Sequence, residues 1–123
     1  MTAGKRFTIP APSVAEPGVL LIRRIHMRDN RTCVYCGATG RPLEVDHVRA
    51  RAHFAATALP SKVNSPRNLV TACDACNSAK GPQNLDGFAA MLRGRGVRSK
   101  SVVAMKRRVR AAVRRQLPMT LVR

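Results

Sequence analysis

Tryptophan is absent from this 123-residue chain, and only Phe7, Phe54, Phe88 and Tyr35 carry aromatic rings. So little aromatic material makes a poor core for a small domain, and chains of this kind usually need a staple such as disulfides or a metal. Acids are scarce too, 6 Asp and Glu against 23 Lys and Arg, for a formal net charge of +17. An excess that large opposes compaction by self-repulsion, so a polyanionic partner is expected, nucleic acid first and an anionic membrane surface second. No apolar run reaches the roughly 18 residues that span a bilayer. The opening Met1-Thr2-Ala3-Gly4-Lys5-Arg6-Phe7 lacks the apolar stretch of a signal peptide. The expected location is therefore cytoplasmic and reducing, where paired cysteines read as metal ligands rather than disulfides.

The length suits one domain, expected in three parts. Residues 1–17, with Pro10, Pro12 and Pro17, read as an extended or disordered arm. Residues 18–97 form the central domain, and residues 98–123 a basic amphipathic helix and tail. In the central part, Leu21, Ile22 and Ile25 face away from Arg23, Arg24 and Arg28, which predicts a short helix ended by Asp29-Asn30. Leu43–Val48 alternates as a half-buried strand does, and 68–72 is a second short strand. Between them lies a loop with Pro60, Ser61, Asn64, Ser65 and Pro66. A short helix follows Cys73 and stops near Gly81-Pro82. Leu85, Phe88, Ala89 and Leu92 give another helix before Gly94 and Gly96. Val102, Met105, Val109, Ala112 and Val113 give the last one.

Cys33-x-x-Cys36 and Cys73-x-x-Cys76 are two knuckles, each able to bring two thiolates to one ion while the backbone turns. Together they supply the closed, all-thiolate, tetrahedral set of a structural zinc site. Gly37 suits the tight turn after the first pair. A redox reading of the pairs would need a βαβ context that this chain lacks.

Taken in order, Thr32-Cys33-Val34-Tyr35-Cys36-Gly37, Glu44-Val45-Asp46-His47-Val48, Asn68-Leu69-Val70 and Cys76-Asn77-x-x-Lys80-Gly81 resemble the HNH endonucleases, in the zinc-bearing branch common in phages and bacteria. The three letters fall on His47, Asn68 and Asn77, with asparagine at the third position. The resemblance implies an α+β, ββα-metal fold: a hairpin carrying Asp46-His47 and a helix starting near Cys76 across it, with flanking basic helices. It implies a metal-dependent endonuclease acting on DNA, in which Asp46 and Asn77 hold one divalent ion. Asn68 would bond loop backbone and orient His47.

The residue types suit that chemistry. A histidine titrating near ~6.5 can take a proton from water at neutral pH. A carboxylate and an amide oxygen are hard ligands for Mg²⁺ or Mn²⁺, distinct from the soft, closed thiolate site. Arg49 and Lys80, close to the proposed site, are candidates for phosphate contact. The last helix adds Lys106, Arg107, Arg110 and Arg114 on a face without acids, fit for phosphates and without the Trp or Phe that anchors a membrane helix. His53 reads as a loop histidine without a role, and His26 as a helix residue without a partner. The alternatives are a non-catalytic zinc module that binds nucleic acid, and a nuclease subunit dependent on a partner in a phage packaging or defence complex. A homodimer is compatible with either.

Overall fold

The computed structural model describes residues 16–119, so most of the expected N-terminal arm lies outside the described residues. Helix α1 (Val19–Arg28) starts after Gly18 and ends with His26 and Arg28 in its last turn, where cations complement the helix dipole. Asn30 and Arg31 then turn the chain with positive φ, 56° and 49°. The sequence pattern puts Arg28 on the solvent face; in the structure it is buried. Its guanidinium donates to both carboxylate oxygens of Asp29, at 2.8 and 3.1 Å, and to the carbonyls of Pro66 and Leu69, at 2.8 and 2.7 Å. Asp29 Oδ2 also accepts from Thr71 N at 2.8 Å. A charge buried this way keeps its full set of partners, which is what makes the burial tolerable. The expected surface turn is therefore the joint that docks α1 on the sheet.

The sheet is one antiparallel pair, β1 (Leu43–His47) and β2 (Leu69–Cys73), with Leu43 opposite Cys73 and His47 opposite Leu69. Every residue of β2 is buried, whereas β1 is only partly covered. The connection holds a 3₁₀ turn (Arg51–His53) and a one-turn helix, α2 (Pro60–Val63), opened by Pro60 at its favoured first position. By sequence alone that short helix reads as loop, because one turn is too short to show a period.

Helix α3 (Asp74–Lys80) begins directly after β2. Cys73 caps it, its sulfur accepting from Cys76 N at 3.4 Å, and Gly81 ends it with φ 55°. Helices α4 (Leu85–Gly94) and α5 (Ser99–Arg114) follow. The core joins Val34 and Tyr35 of the first knuckle, Val70 and Ala72 of β2, Phe88 and Ala89 of α4, and Val102, Met105, Val109 and Ala112 of α5. The apolar stripe of α5 thus closes the core as its periodicity predicts. Tyr35 and Phe88 meet edge to face, centroids 5.3 Å apart. Among the described residues no helix is long and apolar enough to cross a membrane.

Candidate active site and metal centre

The two knuckles converge because β2 delivers Cys73 opposite the start of β1 while the Cys33–Gly37 turn packs beside it. That turn is closed by Gly37 N donating to Cys33 O at 2.8 Å, with Gly37 at φ 81°. The sulfurs of Cys33, Cys36, Cys73 and Cys76 all lie within 4.8 Å of one another. Burial, and then the charge of Cys33, pushes the Cys76 thiol up. Four thiolates in so small a space are tenable only around a cation, and an all-sulfur tetrahedral set is the one zinc takes in structural sites. Arg108 of α5 locks the turn from behind, donating to Val34 O and Tyr35 O at 2.8 Å each. By sequence Arg108 is one more cation of the basic helix; in the structure it is half-buried and serves the knuckle.

Asp46 and His47, at the end of β1, are both nearly buried and line a cleft of about 350 Å³ together with Ala50, Arg51, Gly81 and Pro82. Two donors meet at a single oxygen of Asp46. Tyr35 Oη donates to Oδ2 at 2.5 Å, and Lys80 Nζ lies 2.9 Å from the same atom. Burial and the adjacent Asp46 carboxylate hold the Tyr35 phenol well above its usual range, so it remains a donor. Lys80 also donates to the His47 carbonyl at 2.9 Å. It has no exposed surface, so the expectation that it contacts phosphate is corrected: its charge is spent inside, on the backbone and carboxylate of the site.

His47 Nε2 lies 2.7 Å from Asn64 Oδ1. An amide oxygen can only accept, so Nε2 carries a proton, and in the neutral ring the lone pair is on Nδ1. Asn64 comes from the loop after α2, and no local pattern points to it. Asn68 does not touch the imidazole. Its Oδ1 accepts from Arg49 N at 2.8 Å, and its Nδ2 donates to Arg49 O at 3.1 Å and Val63 O at 2.9 Å. It braces the backbone just beyond His47 and the end of α2 that carries Asn64.

Asn77, on α3, donates to Glu44 Oε1 at 2.6 Å and does not line the cleft. Glu44 and Asp46 are two residues apart and so share a face of β1. Helix α3 therefore lies over that face with Asn77 on Glu44 and Lys80 on Asp46. Glu44 is a carboxylate to which the sequence assigns no role. The carboxylates of Asp46 and Glu44 and the amide oxygen of Asn77 are each hard donors of the kind that suits Mg²⁺ or Mn²⁺, but the Asn77 amide meets Glu44 rather than Asp46.

The remaining predicted residues spread over the surface. Arg49 stacks on Phe54, 4.5 Å from the ring centroid, and donates to His53 O at 2.9 Å. Lys106 pairs with Asp86 of α4 at 2.8 Å, which lowers the Asp86 carboxyl. Arg107, Arg110 and Arg114 are exposed along α5. His53 is exposed, whereas His26 has a partner after all, its Nδ1 lying 2.9 Å from Thr71 Oγ1.

The fold and the two sites define a class: a small hairpin-and-helix unit of the ββα-metal kind, stapled by four cysteines. Residues 33–83 match the model of the HNH endonuclease family, a stretch that takes in both knuckles, both strands and α3. The matched stretch is the one whose motifs resemble that family, and the match points to a nuclease or nucleic-acid-related function. Neither a curated protein nor a solved structure gives a significant match.

Proposed function

We propose that the chain is a metal-dependent endonuclease that hydrolyses DNA phosphodiester bonds at the Asp46–His47 cleft. The observation that carries this reading is the presence of His47, its Nε2 held by Asn64, beside the Asp46 carboxylate in one cleft, inside the stretch matched by the family model. His47 Nδ1 would take the proton of the attacking water while Asn64 keeps the ring oriented. Asp46 would hold one Mg²⁺ or Mn²⁺ at the cleft, and Asn77, the second ligand that the family resemblance implies, would have to turn from Glu44 to reach it. When bound, such an ion neutralises phosphate charge and stabilises the leaving oxygen. The cysteine cluster would hold structural zinc and take no part in the reaction. The exposed cations of α5 supply affinity for the backbone, independent of sequence and sensitive to salt.

One observation favours the second reading, a zinc module that binds nucleic acid without cutting it: Lys80 already neutralises Asp46, which lowers the attraction of that carboxylate for a cation. The two readings separate in a supercoiled-plasmid assay on zinc-loaded protein, run with Mg²⁺, with Mn²⁺ and with EDTA. Nicked or linear product that requires divalent ion establishes the nuclease. Retarded but intact plasmid in every metal establishes the binder.

A further inference from the structure

Tyr35 sits inside the first knuckle, between Cys33 and Cys36, yet its hydroxyl leaves the cysteine cluster and ends on Asp46 of the cleft. Its ring packs edge-on against Phe88, and its backbone carbonyl accepts from Arg108 at 2.8 Å. From that position the hydroxyl reaches Asp46. Lys80 lands on the same oxygen, Oδ2, so Oδ1 is the carboxylate oxygen that neither donor holds.

We propose that Tyr35 is a positioning residue for the divalent-ion site: its hydroxyl pins Oδ2 of Asp46 and so fixes the orientation in which Oδ1 is offered to the ion, coupling the order of the cysteine knuckle to the hydrolytic cleft. This rests on the reading of Asp46 as an ion ligand. Hydrogen bonds to a ligating carboxylate set its orientation before the ion arrives, and losing one typically weakens metal binding by about tenfold or more. A tyrosine that served only to fill the core would be replaced by phenylalanine without effect on the ion.

The test is Mn²⁺ titration of zinc-loaded full chain by calorimetry, comparing wild type, Tyr35→Phe and Asp46→Asn, with zinc content measured in each. Asp46→Asn removes the charge while leaving an acceptor for Tyr35 and Lys80. The expected result is an Asp46-dependent site in wild type, bound about tenfold more weakly by Tyr35→Phe at unchanged zinc content. Equal or tighter binding by Tyr35→Phe overturns the proposal, the tighter case showing that the hydroxyl competes with the ion. Absence of any Asp46-dependent Mn²⁺ binding in wild type overturns the reading of Asp46 as ligand, and this proposal with it. A second measurement needs no variant at Tyr35. The chain has one tyrosine and no tryptophan, so its near-ultraviolet absorption reports on that phenol. Mg²⁺ should give a saturable tyrosine difference band in wild type that Asp46→Asn lacks. An unmoved band alongside Asp46-dependent Mn²⁺ binding overturns the proposal even if Tyr35→Phe does not fold.

Discussion

Three side chains whose partners the sequence does not announce turn on the chemistry of single atoms. Asn64 Oδ1 can only accept, so its bond to Nε2 decides which nitrogen of His47 would serve as the proposed base. Replacement by leucine should lower plasmid cleavage by about ten- to a hundredfold with plasmid binding unchanged, while Asn64→Asp, which keeps an acceptor, should retain more activity than leucine. Asp29 is fully buried against Arg28. Asp29→Ala should therefore cost about 3–5 kcal/mol in denaturant unfolding, because it strands a guanidinium in the interior. His26 carries a pH dependence. Burial, more than the opposing charge of Asp29, lowers its pKa in the folded state. The unfolded chain then takes the proton first as pH falls, so this contribution is complete above ~6.5 and disappears as pH drops through the lower folded value. Between pH ~7.5 and ~6 the unfolding midpoint of His26→Gln should fall less than that of the wild type.

At the scale of elements, α5 has two faces with separate duties. Val102, Met105, Val109 and Ala112 close the core, while Arg107, Arg110 and Arg114 face solvent. Replacing those three arginines by alanine should weaken duplex DNA binding and flatten its log–log salt dependence by about 2.7, roughly 0.9 for each phosphate no longer neutralised, with thermal stability unchanged. A salt slope equal to that of wild type would remove α5 from the interface. Both faces were legible in the sequence, because a 3.6-residue period writes burial directly into residue order. The strands and α3 were legible for the same local reasons, alternation in Leu43–His47 and the Gly81-Pro82 stop. What escaped were roles set by partners remote in sequence. Arg28 looks like a surface cation because Pro66, Leu69 and Thr71, which bury it together with Asp29, lie some forty positions away. Lys80 looks free to meet phosphate because nothing near it in sequence announces the Asp46 carboxylate. The cysteine cluster, by contrast, could be read completely, since paired spacing and ligand chemistry are both local.

The whole molecule reconciles a small aromatic-poor core with a charge of +17 by drawing its order from two centres, the cysteine cluster and the Asp46–Lys80–Tyr35 group. Tyr35 belongs to both, and Arg108 ties them to α5. Acids answer only a few of the surface cations, Arg41, Arg51 and Lys106 pairing with Asp74, Glu16 and Asp86, and the large basic excess that is left is the physical argument for a polyanionic partner. On the proposed function, nucleic acid is cut at the cleft rather than merely held there. The most direct test is the rate of plasmid cleavage by zinc-loaded His47→Ala beside wild type, in Mg²⁺ or Mn²⁺, at protein concentrations giving equal plasmid binding. Wild type should cleave, and the variant should lose at least about a hundredfold in rate with zinc content unchanged. Cleavage by His47→Ala at the wild-type rate would contradict the proposed function, as would a wild type that binds the plasmid and leaves it intact in every metal.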